Sequence, residues 1–259
     1  MLGDVVGKPG RRILRERLRN TLDRLGAAFC VINAENAAGG SGITAATANE
    51  IFDAGANVIT TGDHVWKQRE AVTLLEKDHR ILRPLNMGPG AVGMGYGAFE
   101  AAGGVTVGVV NLLGRVFMDP RDCPFRAVAA ILGELSAQAD VILVDMHCEA
   151  TSEKIAMGWF LDGKVSGVVG THTHVQTSDE RVLPKGTAYI TDLGMTGPHD
   201  SVLGRRTDRV LEAVVSGMPK PFDVAKGDVR MCGVLISVDS GTGKASAIER
   251  IVVAEDEEA

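Results

Sequence analysis

The chain has 259 residues, of which 45% are hydrophobic and 23% charged, and its formal net charge is −6. A chain of this length can bury a substantial core without disulfide or metal staples. The negative charge argues against a protein that binds duplex nucleic acid through a basic face, although a local site for a nucleotide or another small phosphate ester is compatible with it.

The first predicted elements alternate between strand and helix. "MLGDVVGKPG" reaches a Gly-Asp turn after two residues, so we expect the first strand to be truncated at the N-terminus. Apolar residues at helical spacing predict a helix over residues 11–26. "AAFCVINAEN" then predicts a short buried strand that runs into a polar loop, "TAATANEIFDAGA" a helix, and "NVITTGDH" another strand followed by polar residues.

The same alternation continues along the rest of the chain. Strands are predicted in "VTVGVVNLLG", "ADVILVDMH", "VSGVVGTHTH" and "TAYITDLG", and helices near residues 125–138, 152–160 and 206–216. The last segment predicts a hairpin with its turn at residues 240–244. This order of elements indicates an α/β fold. Because no repeat, low-complexity tract or linker interrupts it, we expect a single domain over residues 1–259.

The four cysteines lie far apart in the sequence and form no CxxC pair. This pattern is typical of a reducing cytoplasm and argues against a disulfide framework or a zinc ribbon. No signal peptide is recognisable, and the longest apolar stretch, near residues 105–113, is too short to span a bilayer. We therefore expect a cytoplasmic protein with no membrane partner.

Side chains that can bind a metal follow the ends of five predicted strands: Asp4; Glu35 and Asn36; Asp63 and His64; His147; His172 and His174. In open α/β sheets, ligands bind at the carboxyl ends of strands. Each case alone has a plain structural explanation, such as a turn for Asp4, a helix cap for Glu35 and Asn36, or a satisfied core position for His147. Their joint occurrence at five strand ends favours a shared metal site.

His172 and His174 raise a separate question, because they stand two residues apart at the end of an apolar run. On a strand, residues at this spacing point to the same face. Both imidazoles could therefore aim at one metal ion or at a pair of ions. The alternative is a polar strand end with two partly exposed histidines.

The mixture of oxygen and nitrogen donors indicates the kind of metal site. No thiolate belongs to the set, which disfavours a structural zinc site. The donors are too many for one tetrahedral ion and suit two ions that share a carboxylate. Iron, manganese or zinc would accept such ligands, and the choice among them depends on supply as well as affinity. Two ions about 3.5–4 Å apart polarise a phosphoryl group and generate a hydroxide nucleophile at neutral pH.

Six sequence blocks resemble the YmdB-like branch of the calcineurin-type metallophosphoesterases: "GDVVGKPGR", "NAENAAGGSGIT", "TTGDHVW", "HCEATSEKIAMGW", "VVGTHTHVQT" and "LPKGTAYITDLGMTGP". The resemblance extends over effectively the whole chain. It implies a four-layer α/β-β/α sandwich with a dinuclear metal centre. It also implies phosphodiesterase activity on small phosphodiesters, with 2′,3′-cyclic nucleotides such as 2′,3′-cyclic AMP as the expected substrates.

Matching positions with the family implies a role for each site residue. The first ion would be held by Asp4, Asn36 and His174. The second ion would be held by Asp63, His147 and His172. Glu35 would bridge both ions. His64 would stay off the metals and act as the general acid, giving a proton to the departing ribose oxygen while the metal-bridging hydroxide attacks phosphorus.

One position departs from the family, which has Gly-Asn-His where this chain has Gly62-Asp63-His64. Aspartate can still bind a metal through oxygen. Its extra negative charge should hold the ions more tightly, weaken their pull on the phosphate and favour protonated His64. We therefore expect an active enzyme with an altered metal preference or pH optimum.

The sequence is also compatible with two other functions. One is a noncatalytic regulatory or scaffold protein that keeps a metal site, although the retained His64 weakens this alternative. The other is a metal-dependent amidohydrolase, a class that also uses a His-x-His pair but usually carries it on the first barrel strand. A homo-oligomer is compatible with either function and with the phosphodiesterase.

Several remaining features are expected to be structural rather than functional. "MGPGAVGMGYGAFE" predicts a glycine-rich mobile loop. Glu149 and Glu153 are expected to meet a helix N-terminus and solvent. Trp66 and Trp159 are expected to be packing residues rather than base-stacking residues.

Overall fold

The computed structural model of the protein describes residues 1–256. Within them the helices are α1 Gly7–Leu25, α2 Ala45–Ala54, α3 Ala71–Lys77, α4 Pro124–Ser136, α5 Thr151–Leu161 and α6 Thr207–Ser216. The strands are β1 Asp4–Val5, β2 Val31–Asn33, β3 Val58–Thr60, β4 Ile81–Leu82, β5 Tyr96–Glu100, β6 Thr106–Leu113, β7 Val141–His147, β8 Gly167–Thr171, β9 Arg181–Val182, β10 Ala188–Ile190, β11 Met195–Asp200, β12 Gly227–Asp239 and β13 Lys244–Ala254.

The longer helices form where local sequence favours them. In α1, Ile13, Leu14 and Leu18 share one buried face, as their spacing predicts. Gly26 caps the C-terminal end of this helix, because its left-handed backbone (φ 61°) lets its N–H reach the last helical carbonyls. Helix α2 begins at Thr44, which exchanges hydrogen bonds with residue 47 in a capping box.

Two sheets form the centre of the molecule. The six-stranded sheet has the order β5-β6-β7-β8-β10-β9, in which β6, β7, β8 and β10 are parallel and the two edge strands antiparallel. The other strands form the groups β1-β11-β12-β13 and β2-β3-β4. Leu2 joins these two groups, because its backbone pairs with Ile32 on one side and Gly233 on the other.

Hydrophobic contacts arrange these sheets and the helices in four layers. Helices α1 and α2 pack on β2, β3, β12 and β13 through a cluster that includes Ile13 and Ile51. Helices α4 and α5 pack on the six-stranded sheet through Val128 and Met157. Val109 and other residues of the six-stranded sheet meet those of β2, β3 and β4 between the two sheets. The protein therefore has the expected α/β-β/α sandwich fold.

The glycine-rich segment differs from its prediction, because its last five residues form strand β5, paired antiparallel to β6. A Cβ atom on Gly95 would lie 2.5 Å from the Cα of Leu85, so this glycine permits close backbone packing. The prediction of a mobile loop is thus wrong for the part of the segment that forms the sheet edge.

The parallel arrangement determines where the polar strand ends lie. Strands β2 and β3 run parallel, as do β6, β7 and β8, and residues at the ends of β7 and β8 are paired in register. The side chains that follow these strands therefore come to one edge, where the two sheets face each other. No helix among residues 1–256 is both long and apolar enough to cross a membrane.

Candidate metal centre

All eight polar residues predicted from the strand ends come together at this edge. They are Asp4 in β1, Glu35 and Asn36 after β2, Asp63 and His64 after β3, His147 at the end of β7, and His172 and His174 after β8. Half of them are buried: Asp4 and His147 are fully enclosed, and Glu35 and Asn36 almost so. The other four are partly exposed. The site thus draws side chains from both sheets into one place.

The possible metal ligands form two sets with one member in common. The ligand atoms of Glu35, Asp63, His147 and His172 lie within 4.8 Å of one another, and so do those of Asp4, Glu35 and His174. Glu35 belongs to both sets. Asn36 lies beside the second set, with its Nδ2 3.1 Å from Nε2 of His174. This geometry could hold two neighbouring ions that share the Glu35 carboxylate.

The set around His147 is tightly packed. Nε2 of His147 lies 3.1 Å from Oε2 of Glu35 and 3.2 Å from Oδ1 of Asp63. Nδ1 of His172 is 3.1 Å from the same His147 nitrogen. Burial opposes both charges, but the attraction between His147 and Glu35 outweighs it. The pKa of His147 is therefore well above its ordinary value, and the pKa of Glu35 is well below its own.

The surroundings of Asp4 indicate whether a cation fits the second set. Its Oδ1 is buried and has no hydrogen-bond partner among the described residues. A buried carboxylate oxygen without a hydrogen bond destabilises the fold, and burial raises the pKa of Asp4 to about 6. A cation between Asp4, Glu35 and His174 would supply the missing partner. The residues present therefore fit a metal ion.

The histidine rings are held so that one nitrogen of each faces the site. Thr171 donates its hydroxyl hydrogen to Asp145, so its oxygen accepts from Nδ1 of His147 (2.8 Å) and leaves Nε2 free to bind a metal. His174 donates from Nδ1 to the carbonyl of Leu203 (3.0 Å), which leaves its Nε2 free in the same way. The ring of His172 has the opposite orientation, because its Nε2 lies 3.2 Å from Glu149 and its Nδ1 faces the site.

The turn that carries His64 requires a glycine before it. A Cβ atom on Gly62 would collide with the side chains of Glu35 and His147. His64 is partly exposed (29%), and its Nδ1 lies 3.0 Å from Oδ1 of Asn36 and 3.3 Å from Oε1 of Glu35. The hydrogen bond with Glu35 raises the pKa of His64 against the effect of burial. His64 thus lies at the solvent side of the cluster.

Comparison with known proteins places this geometry in a family. A family model described as "YmdB-like protein" matches residues 1–251. The chain belongs to the YmdB-like family. This confirms the resemblance that the sequence blocks predicted.

Individual relatives of this YmdB-like protein agree along nearly the whole chain. It is 42% identical to the 2′,3′-cyclic-nucleotide 2′-phosphodiesterase of Bacillus subtilis (strain 168), over 98% of this chain and 96% of that protein. A structure from Thermus thermophilus has a TM-score of 0.92 at 40% identity and covers 98% of both chains. The structure of a phosphatase from Mycoplasma pneumoniae also has a TM-score of 0.92, at 35% identity, and covers 99% of this chain and 92% of that one. The YmdB-like chain is thus a hydrolytic phosphoesterase.

The prediction that His172 and His174 share one face of a strand is wrong. Strand β8 ends at Thr171, and both histidines lie beyond it with left-handed backbones, at φ 97° and 65°. They do not share a strand face. Instead the bend sends His172 to the set around His147 and His174 to the set around Asp4.

A buried ion pair that the sequence did not predict holds this bend in the YmdB-like protein. Thr173 donates from its backbone N–H (3.2 Å) and its hydroxyl (2.7 Å) to Oδ2 of Asp192. The same oxygen accepts from Nζ of Lys154 at 2.7 Å, and both charged side chains are essentially fully buried. Asp192 follows the end of β10, so its position at a strand end was a usable signal. Lys154 offered none.

Asp145 is a second residue that the predictions missed. It lies two residues before His147 on β7, and its carboxylate accepts hydrogen bonds from Asn33, Thr60 and Thr171. A lone aspartate inside the apolar run "VILVDMH" was a signal for it. Through Thr171 this carboxylate sets which nitrogen His147 presents to the site.

Two structural expectations also need correction. Glu153 does not meet solvent: it is buried and accepts the backbone N–H groups of Arg115 and Val116. Glu149 is half exposed (50%) but contacts His172. Trp66 and Trp159 are not core residues either, because 37% and 51% of their surfaces are exposed.

Proposed function

We propose that this YmdB-like protein is a dinuclear-metal phosphodiesterase that hydrolyses small phosphodiesters, with 2′,3′-cyclic nucleotides such as 2′,3′-cyclic AMP as substrates. The observation that carries the proposal is the pair of donor sets that share the buried Glu35. The relative from Bacillus subtilis, named for its action on 2′,3′-cyclic nucleotides, supports the substrate class.

The proposed ligands follow the two donor sets. One ion would be held by Asp4, Asn36 and His174. The other would be held by Asp63, His147 and His172. Glu35 would bridge them. Asn36 would bind through its amide oxygen. Iron is the metal that we expect, with manganese or zinc as alternatives, because all three accept oxygen and imidazole ligands.

Two such ions, when bound, would polarise the phosphoryl group and lower the pKa of water enough for attack on phosphorus at neutral pH. His64 would give a proton to the leaving ribose oxygen. Its position supports this role, because Asn36 and Glu35 hold Nδ1 from within and the rest of the ring is partly open to solvent. Asp63, 3.6 Å from Nε2, would favour the protonated ring.

The experiment that tests the proposal joins metal analysis to a substrate panel. The purified protein should contain about two transition-metal ions per chain, as a two-metal site requires. It should hydrolyse 2′,3′-cyclic AMP faster than 3′,5′-cyclic AMP, and bis-p-nitrophenyl phosphate at a measurable rate. A metal-loaded protein inert towards all of these would favour the noncatalytic scaffold, and hydrolysis of amide substrates alone would favour the amidohydrolase.

The cysteines bear on the compartment in which the protein works. All four cysteines are free, and three of them are buried. Unpaired buried thiols support a reducing compartment, so we infer a cytoplasmic location. A single domain over residues 1–259 and a homo-oligomeric state stay predictions.

A further inference from the structure

A groove of about 640 Å³ opens on the surface beside the turn that carries His64. Three segments line it: Trp66, residues 87–91 and residues 120–122. None of these residues belongs to the two donor sets. The groove is therefore separate from the proposed ligands, but hydrogen bonds join two of its sides to the segments that carry His64 and His147.

The first side is the turn that carries the proposed general acid. The backbone N–H of Lys67 bonds to the carbonyl of His64 at 2.9 Å, which closes the turn around Trp66. Val65 is fully buried in the core cluster that also contains Met87, whereas Trp66 keeps 37% of its surface exposed. The indole thus lines the groove two residues from His64.

The second side is the loop that follows β6. Leu113 pairs with His147 at the strand ends, and the N–H of Gly114 bonds to the carbonyl of His147 at 2.9 Å. The buried Asn86 donates to the carbonyls of Leu113 and Asp122, both at 2.8 Å. This amide clamps the loop against residues 87–91. The groove is therefore preformed, with one side anchored at His147 and the other at His64.

The chemistry of the lining indicates what the groove binds. It offers an indole ring, two prolines, a methionine and an alanine, with one basic and one acidic residue, Arg121 and Asp122, beside them. Aromatic and guanidinium groups are the usual platforms for stacked bases. The lining offers no second basic side chain, so it does not suit another phosphate.

We propose that this groove binds the nucleobase of the phosphodiester substrate, with Trp66 as the stacking platform. The proposal rests on the proposed function, because a phosphate held at the donor sets places its nucleoside within reach of the adjoining turn. Trp66 is then a specificity-determining residue, which replaces the packing role expected from the sequence.

Paired substrates test this role. One is 2′,3′-cyclic AMP, and the other is glycerol 1,2-cyclic phosphate, which has the same cyclic ester but no base. Trp66→Ala should lower the ratio of kcat/KM for the nucleotide over the base-free ester by about tenfold or more, mainly through KM. Trp66→Phe should restore most of the ratio because it keeps an aromatic face. Trp159→Ala, which removes the other exposed indole, should leave the ratio at the wild-type value.

A binding measurement tests the groove without turnover. The chain has two tryptophans, so Trp159→Phe leaves Trp66 as the single indole. Its fluorescence should be quenched on titration with adenosine 3′-monophosphate and not with inorganic phosphate. A ratio unchanged in Trp66→Ala, or no nucleotide-specific quenching, would overturn the base-binding role. Failure of the wild-type protein to hydrolyse either cyclic ester would instead count against the proposed function, while the quenching still reports on the groove.

Discussion

Asp63 stands where the family has asparagine, so this chain carries one more negative charge in the site. Its Oδ1 lies 3.2 Å from Nε2 of His147 and 3.5 Å from Nδ1 of His172, and its Oδ2 lies 3.6 Å from Nε2 of His64. Burial opposes the charge, but the hydrogen bond from His147 lowers the pKa of this carboxyl group. Asp63 is therefore an anion that faces three imidazoles.

The first prediction concerns this charge. Asp63→Asn should weaken retention of the ion next to His147 and His172, because one anionic ligand becomes neutral. The pKa of His64 is raised in part by Asp63. The variant should therefore lose protonated His64 at lower pH, and the alkaline limb of the pH–rate curve should move to lower pH. Metal content after dialysis and a pH–rate profile measure the two effects, and if neither changes the inference is wrong.

The second prediction concerns His64 itself. His64→Ala should keep its metal, because His64 belongs to neither donor set, but should lose about 10²–10⁴-fold in turnover, the usual contribution of a general acid. Steady-state rates at matched metal content measure this loss. His79→Ala is the matched control, since His79 is exposed and lies outside the site. Full activity of His64→Ala would exclude the general-acid role.

At the scale of elements, the bend after β8 shows how a ligand-bearing segment is held. Two non-glycine residues there have left-handed backbones, which costs energy unless other contacts enforce it. The contacts are the hydrogen bonds of Thr173 to Asp192 and of the His172 N–H to Asp4. The pair of Lys154 and Asp192 thus fixes the path of the chain between two proposed ligands.

The third prediction tests this pair. Lys154→Met leaves the buried Asp192 carboxylate without its cation and should destabilise the fold by about 3–5 kcal/mol. It should also weaken metal binding, because the bend loses its support. Thermal unfolding and metal titration measure the two effects. Lys154→Met combined with Asp192→Asn removes both charges and should recover part of the stability; a single variant as stable as the wild type would contradict the account.

Elements differ in how well local sequence predicts them. Helices α1, α2, α4, α5 and α6 lie within a few residues of their predicted positions, except that α1 begins earlier, because apolar spacing and caps are local signals. Strands β4 and β9 have two residues each and carry no periodic pattern. Strand β5 was hidden by the glycines around it, although Gly95, just before the strand, permits close packing against Leu85 rather than flexibility.

At the scale of the whole molecule, the site joins the two sheets. Asp4, Glu35 and Asp63 come from the β1 and β2-β3-β4 side, whereas His147, His172 and His174 follow β7 and β8. Bound ions would therefore link the sheets as well as serve catalysis. The buried Oδ1 of Asp4, which has no hydrogen-bond partner within residues 1–256, would gain one from such an ion.

The fourth prediction follows from this link. Removal of metal by a chelator should lower Tm, because a ligand that binds only the folded state stabilises it, by about 2.7 kcal/mol at a hundred times its Kd. For a chain of this size that is roughly 5–10 °C. Scanning calorimetry before and after chelation, with manganese added back, measures the shift. An identical Tm in all three states would show that metal contributes nothing to the fold.

The amino-acid sequence by itself determined the alternation of strands and helices, the donor types at the strand ends and the membership of the YmdB-like family. These depend on spacing along the chain and on side-chain chemistry. Only the tertiary structure decided which donors share a cluster, how His172 and His174 diverge, and that Lys154 and Trp66 lie close to the site. Such features depend on contacts between residues far apart in sequence: the bond from the His172 N–H to Asp4 spans 168 positions. No local pattern records a contact of that kind, because packing of the two sheets alone brings its partners together.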